Sequence, residues 1–312
     1  MSQNRVFIIG AGYMGQGLAQ IIARSGSEVI LIDSSEEALK NCLVHISSDL
    51  DVEIARWGLT ASEKRAMMSR ISTSKNIEDV CTASFVIEAI PEILKEKQIL
   101  FAHLDKLCSP DTILASNTAT LAIGEISRRM RYPERVIGLH FLSPAPKTLV
   151  VEVVRSINTS DRTLQIALRF VKMLEKTPIF VYENPGSITT RIMLPMINEA
   201  VRVLAENIAT CDDIDNAMKI GYGMKVGPLA MADFIGLDSI VVWTENIHQE
   251  TGEMSFVPAK LLRKMVRAGF SGLKSGRGFY RYDKDGHRIE GSGLKPCDVG
   301  INGLKKLNGG VE

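Results

Sequence analysis

The stretch that decides the fold is Val6-Phe7-Ile8-Ile9-Gly10-Ala11-Gly12-Tyr13-Met14-Gly15. An apolar run over Arg5–Ile9 stops at Gly10, and a helical pattern follows to about Ser25. A second apolar run, Glu28–Ile32, stops at Asp33. Strand, helix and strand within about 30 residues make a right-handed crossover between parallel strands. In G-x-G-x-x-G the first glycine permits a tight turn and the second lets a pyrophosphate approach the backbone. The third allows the helix to pack closely on the strand, and the helix N-terminus attracts the phosphates. Alone the motif is weak, and a glycine turn in an unrelated α/β protein is the bland alternative. Here a strand precedes it, a helix follows it, and an acid stands at the tip of the second strand. Asp33 would accept hydrogen bonds from the adenine-ribose hydroxyls and repel a 2′-phosphate. Ser34 and Ser35 follow it, with no arginine to welcome that phosphate. The expected cofactor is therefore NAD rather than NADP, held by Gly10, Gly12, Tyr13, Met14, Gly15 and Asp33.

Outward from this unit, short β-branched runs recur at Phe85–Ala89, Thr112–Ala115, Val136–Leu139 and Val150–Val154. They lack strict alternation, as strands buried on both faces do. Between Glu36 and Arg70 the sequence is charged and helical, and reads as a helical pair inserted into the cofactor domain. The character changes at Asn184–Gly186, after which apolar residues recur at helical spacing through Ile188–Ile208. Further helical stretches follow at Asp212–Ile220, Pro228–Ile235, Asp238–Gln249 and Pro258–Ala268, and strand character returns only at Gly278–Tyr282. The expectation is an α/β chain: a Rossmann-type, doubly wound parallel-sheet domain over 1–184, then an all-α domain over 185–312. From Asp283 onward a small hairpin and a loose tail are expected.

Composition closes off several function classes. The chain has 312 residues, 45% hydrophobic and 23% charged, with a formal net charge of +1. No global charge excess points to nucleic acid or to an anionic membrane. No apolar run approaches the roughly 20 residues a membrane helix needs, and no signal peptide precedes the first strand. Five scattered cysteines, none in a CxxC pair, argue for reduced thiols, a cytoplasmic setting and no metal site.

His140 ends a strand and precedes a Pro-braced loop, at the carboxyl edge where open α/β sheets place ligands. Glu152 returns across that loop. Alcohol oxidation needs a base for the hydroxyl proton, and histidine, with an ordinary pKa of about 6.5, suits the task. A carboxylate behind the ring fixes its tautomer and stabilises the imidazolium. The bland alternative is a loop histidine bonded to backbone beside an ordinary surface glutamate.

Several ordered segments carry a resemblance. Ala115-Ser116-Asn117-Thr118, Gly138-Leu139-His140-Phe141-Leu142-Ser143-Pro144-Ala145-Pro146 and Leu149–Val154 resemble the 3-hydroxyacyl-CoA dehydrogenase patterns A-S-N-T-S-S-L, G-x-H-F-F-N-P-x-P and L-V-E-V. Pro185, Gly186 and Arg191 match P-G-F-x-x-N-R. Pro195–Ala200, Asp213–Lys219, Gly227–Leu229 and Lys274–Tyr280 match further on, so the likeness covers almost the whole chain. It implies His140 and Glu152 as the catalytic pair. It also implies cofactor contacts for Glu92, Lys97, Asn117 and Lys274, whose bland alternative is solvated surface charge for the three charged groups. Ser116, Asn117 and Thr118 would contact substrate, and the helical domain would pair two copies into a homodimer.

Three positions depart from the family pattern. Ala119 replaces a serine that contacts substrate and nicotinamide, Thr190 replaces a substrate-orienting asparagine, and Ser143 replaces another asparagine. Each change shortens or removes a hydrogen-bonding arm, and Thr118, Thr120 or Thr190 is expected to compensate. A fourth departure lies in the inserted helices, where family members carry lysines near the CoA phosphates. Here Asp49, Asp51 and Glu53 stand with a single arginine, Arg56. An acyl-CoA or an acidic acyl carrier protein is therefore the expected partner, with Arg56, Lys64, Arg65 and Arg70 as docking residues in the second case. The leading reading is NAD-dependent oxidation of a 3-hydroxyacyl thioester to its 3-oxo form. Beside it stand oxidation of a glyceryl-carrier protein towards a hydroxymalonyl-type extender unit and a non-catalytic crystallin-like role. A sugar-acid dehydrogenase of the 6-phosphogluconate type would need a lysine that Ile188–Glu199 lacks.

Overall fold

A computed structural model describes residues 5–298. They fall into two compact units that part between Ser187 and Ile188.

The first unit opens with β1 (Arg5–Ile9), α1 (Tyr13–Arg24), β2 (Glu28–Ile32), α2 (Glu36–Ala55), α3 (Ala61–Met68) and β3 (Ile71–Ser74). It continues through β4 (Phe85–Glu88), α4 (Leu94–Leu107), β5 (Ile113–Ser116), α5 (Ile123–Ile126), β6 (Val136–Phe141), β7 (Val150–Arg155), α6 (Asp161–Met173) and β8 (Thr177–Tyr182). The eight strands form one sheet in the order β3-β2-β1-β4-β5-β6-β7-β8. All pairs are parallel except β6 with β7, which run antiparallel. That reversal follows from the short Leu142–Leu149 connection, because a parallel return needs a crossover of a dozen or more residues. Apolar side chains are buried on both faces. Leu18, Ile22, Leu31 and Ile46 pack on one side, and Phe7, Phe101, Leu104 and Leu114 on the other.

The helical pair has clear local causes. Ser35 caps α2 by accepting from the Ala38 N–H, and Thr60 with Glu63 forms a capping box on α3. The strand order reverses between β1 and β4, the crevice where this class of sheet takes ligands at its carboxyl edge.

The second unit contains α7 (Ile188–Ala205), α8 (Cys211–Tyr222), α9 (Pro228–Ile235), α10 (Leu237–Thr251) and α11 (Lys260–Arg267) around a core of its own. Pro195 lies inside α7. The strand expected at Gly278–Tyr282 is reduced to isolated bridges, Gly272 to Arg277, Arg277 to Arg281 and Tyr282 to Arg288. The end of the expected loose tail, 299–312, lies outside the described residues. Among the described residues no helix is long and apolar enough to cross a membrane.

Candidate active site

The glycine turn at the end of β1 has steric reasons at its first and third glycines. Gly10 has φ +108°, and a Cβ there would lie 2.6 Å from the Ala89 carbonyl oxygen, just past β4. A Cβ on Gly15 would lie 1.9 Å from the Gly10 carbonyl oxygen, so helix and turn could not close. At Gly12 a Cβ would meet nothing within 4 Å, which leaves open space beside the first turn of α1. Asp33 accepts from the Ala11 N–H and the Ser35 N–H, both at 2.9 Å, and so ties the tip of β2 to the turn. An open glycine at a helix N-terminus, with a carboxylate beside it, fits a dinucleotide. Tyr13 is 62% exposed, with Ser143 of the β6–β7 connection beside it. Met14 is half-buried.

Farther along the same edge, the antiparallel register sets His140 of β6 directly opposite Glu152 of β7. Nδ1 of His140 lies 2.6 Å from Oε2 of Glu152, and both residues are buried. An ionised carboxylate can only accept, so the proton of this bond sits on Nδ1 and Nε2 carries the lone pair. Asn117, just past β5, accepts from the Phe141 N–H at 2.9 Å and locks the end of β6 to its neighbour.

Between these two features lies a buried ion cluster. Lys97 of α4 is fully buried, with Nζ 2.6 Å from Glu88 and 3.4 Å from Glu92. Ser116 donates to Glu88 at 2.5 Å. Glu92 accepts from the hydroxyls of Thr118 and Thr120 at 2.6 and 2.9 Å and from the N–H groups of Ala119 and Thr120. Burial raises the Glu88 carboxyl above the ordinary range, against the pull of Lys97. Burial works the same way on Glu92, but Lys97 and the threonine hydrogen bonds outweigh it and hold this carboxyl low. For Lys97 burial alone would lower the value, and Glu88 with Glu92 keeps it raised.

Comparison with known proteins agrees with this geometry. The family model for the 3-hydroxyacyl-CoA dehydrogenase NAD-binding domain matches residues 5–184, and that for the family's C-terminal domain matches 186–282. The chain belongs to the 3-hydroxyacyl-CoA dehydrogenase family. It is 40% identical to a probable 3-hydroxybutyryl-CoA dehydrogenase of Bacillus subtilis, over 91% of this chain and 99% of that one. It is 38% identical to the 3-hydroxybutyryl-CoA dehydrogenase of Clostridioides difficile, over 90% and 100%. The crystal structure of FadB2 from M. tuberculosis superposes with a TM-score of 0.87 at 32% identity, covering 91% of this chain and 100% of that one. That of (S)-3-hydroxybutyryl-CoA dehydrogenase PaaH1 from Ralstonia eutropha gives 0.82 at 38%, with the same coverage. The chain is thus an NAD-dependent oxidoreductase acting on a CH–OH group.

Against the family pattern, the remaining residues sort by what they touch. Ser116 is fully buried with its hydroxyl on Glu88, so it braces the strand end from beneath. Thr118 and Thr120 do not stand in for the serine absent at Ala119, because both hydroxyls are bound to Glu92. Glu92 and Lys97 are not solvated helix-surface charges. Thr190, in the first turn of α7, is buried, and its hydroxyl has no hydrogen-bond partner among the described residues. Lys274 is exposed and pairs at 3.1 Å with Asp238 of the second unit. Arg56 is exposed at the C-terminal cap of α2.

The three acids near the C-terminal end of α2, Asp49, Asp51 and Glu53, are partnered within the first unit. Glu53 pairs with Arg24, Asp51 pairs with Lys64 at 2.6 Å, and Asp49 accepts from Gln20 at 3.1 Å. Two of the three charges are therefore offset locally, and the negative face read from the sequence is weaker than it looked. Sequence reasoning missed Glu88 and Ser187. Ser187 lies 2.8 Å from Nδ1 of His140, and its signal was available, since it stands where the family pattern P-G-F-x-x-N-R has phenylalanine.

Proposed function

We propose that this enzyme oxidises the 3-hydroxyl of a short 3-hydroxyacyl-CoA to the 3-oxo thioester, reversibly, with His140 as base and Glu152 behind it. The observation that carries the reading is the buried His140–Glu152 pair at 2.6 Å on the carboxyl edge of a sheet whose glycine turn suits NAD. The 3-hydroxybutyryl-CoA dehydrogenases among its relatives support the short acyl chain and the CoA carrier.

Nε2 of His140 takes the hydroxyl proton as the alcohol becomes a carbonyl, while Nδ1–H stays on Glu152. The carboxylate stabilises the imidazolium so formed, which is worth most in a buried site where water does not compete. Bound NAD supplies the acceptor for the hydride leaving the same carbon. Gly10, Gly12 and Gly15 with Asp33 would hold its pyrophosphate and ribose. Glu92 orders the Thr118–Thr120 loop near the reacting groups, and Lys97 holds Glu92, rather than touching cofactor itself. Asn117 fixes the end of the strand that carries the base.

Four described cysteines are free thiols, which supports a reducing, cytoplasmic compartment. Exposed Ile192, Ile220, Tyr222 and Phe234 on the helices of the second unit, with Ile208 in the turn between α7 and α8, support a homodimer through that unit. The test of the reading is NADH formation from (S)-3-hydroxybutyryl-CoA. Saturable turnover with NAD, and a poor rate with NADP, is the expected result. Failure on every 3-hydroxyacyl-CoA, with turnover of a carrier-loaded hydroxyacyl group, would replace the CoA ester as substrate.

A further inference from the structure

The imidazole of His140 has a second neighbour at the same nitrogen. Oγ of Ser187 lies 2.8 Å from Nδ1, and Oγ of Ser187 also lies 3.4 Å from the carbonyl oxygen of Ala119. The Ser187 N–H donates to that same carbonyl at 3.3 Å, so the residue is tied to the loop after β5 by both backbone and side chain. Ser187 is 6% exposed, which keeps bulk water from competing for either bond. Because Glu152 requires the proton on Nδ1, the serine oxygen can only accept a share of that N–H. Its own hydroxyl proton then points to Ala119.

We propose that Ser187 is a positioning residue for His140, the third member of an array that runs from the Ala119 carbonyl through the serine hydroxyl to Nδ1 and Glu152. This rests on the reading of His140 as base. Two acceptors on one N–H resist rotation of the ring out of the plane of either, so Nε2 keeps a fixed aim. They also share the positive charge that appears on the ring once the substrate proton arrives. A phenylalanine, which the family pattern has here, could do neither. The array therefore places a hydroxyl beside the base in a chain whose residue 119 carries none.

The test compares Ser187→Ala, Ser187→Thr and His140→Ala by kcat, KM for both substrates and the pH dependence of kcat/KM. Loss of one shared hydrogen bond predicts a three- to tenfold fall, roughly, in kcat for Ser187→Ala. The acid limb of kcat/KM should move to lower pH by roughly half a unit, since the protonated ring has lost an acceptor. KM for NAD should hold, and Ser187→Thr, which keeps a hydroxyl, should restore both rate and limb. Added to His140→Ala, Ser187→Ala should change nothing further. A Ser187→Ala enzyme with the wild-type rate and limb overturns the proposal. So does a slow enzyme whose limb stays in place and which also loses rate in the His140→Ala background, since the serine would then act on the fold alone. If His140→Ala itself turns over normally, it is the assignment of the base that falls.

Discussion

The two units bury carboxylates in different ways, and the difference separates chemistry from architecture. In the first unit Glu152 faces the Nδ1 edge of an imidazole, and Glu88 and Glu92 face a lysine. In the second, Asp215 accepts from the N–H groups of Leu229 and Ala230 and the hydroxyl of Tyr280. Asp233 accepts from the N–H groups of Phe279 and Tyr280 and the hydroxyl of Tyr282. Each of these aspartates sits against a glycine. A Cβ on Gly227 would lie 2.4 Å from Asp215, and one on Gly278 would lie 1.9 Å from Asp233. A carboxylate closed off by amide and phenol donors has nothing left to transfer or to orient, and acts as a staple. A carboxylate bonded to one edge of a titratable ring leaves the other edge able to react.

His140→Ala is the sharpest way to break this contrast. A positioned base is worth about 10²–10⁴-fold in rate, so kcat of the folded enzyme should fall by that factor with NAD affinity near wild type, while the thermal midpoint drops because buried Glu152 loses its donor. Glu152→Gln should act in the same direction and less strongly. Steady-state kinetics beside a melting curve separate the two quantities. Full turnover in either variant would end the assignment.

Asp233→Ala should spare the rate. It leaves two buried N–H groups and a phenol without an acceptor, each costing about 1–3 kcal/mol, so stability should drop by roughly 3 kcal/mol or more. The protein that remains folded should turn over normally. Lys97→Met belongs between the two. Removing one partner of a buried ion cluster costs about 3–5 kcal/mol, and the freed Glu92 should also loosen the Thr118–Thr120 loop. The pH dependence of melting checks the charge state. A carboxyl held low, as Glu92 is, contributes stability that is present above the ordinary glutamate value of about 4.3 and lost as pH falls through its folded value. Glu92→Gln should flatten that acid-side loss. An unaltered acid slope would mean that Glu92 is not ionised in the folded protein.

Asp33→Ala has a smaller expected effect, on discrimination. The ribose loses an acceptor and a 2′-phosphate loses a repeller, so the NAD to NADP preference should narrow by about tenfold. Because Asp33 also accepts from Ala11 and Ser35, part of the loss should appear as weaker binding of both cofactors. Unchanged kinetics with both cofactors would remove Asp33 from the ribose site.

What the sequence disclosed follows the range of the interactions. The crossover unit, the glycine turn and Asp33 lie within one contiguous motif, and periodicity exposed them. His140 and Glu152 were legible because a short connection between two strands brings their register positions face to face. The strands β3 and β8 left weak signals: Ile71–Ser74 has one apolar residue, and Thr177–Tyr182 begins beside a proline. Glu88 and Lys97 look like any strand-end acid and any helix lysine until the β4–α4 turn folds them together. The staples of the second unit join residues far apart in sequence. The matching segments at Gly227–Leu229 and Lys274–Tyr280 could be recognised, but not the carboxylates that require their glycines. Ser187 was visible as a departure from pattern, yet its meaning depends on a contact with a residue far back in the chain.

Exposed acids make a third case, and the helical pair tests it with the smallest effect. Asp49, Asp51 and Glu53 on α2 would repel CoA phosphates if they stood alone. Lys64 and Arg24 instead lie on two of them, and a surface ion pair has a weak field beyond the Debye length of about 8 Å at physiological salt. Glu53→Gln should therefore lower KM for 3-hydroxybutyryl-CoA by no more than about threefold at low ionic strength. The gain should vanish at 0.5 M salt, roughly, where screening is nearly complete. Measuring kcat/KM at the two ionic strengths, with the wild type alongside, gives the slope. Charge reversal at Arg56 and Arg65 provides the opposing arm, since an acidic carrier protein would feel that change far more than a CoA ester. A tenfold or larger gain for Glu53→Gln would mean that the pairing with Arg24 fails to offset the charge, and that α2 is built to turn CoA away. A flat response to every one of these changes would place the CoA phosphates away from α2 altogether.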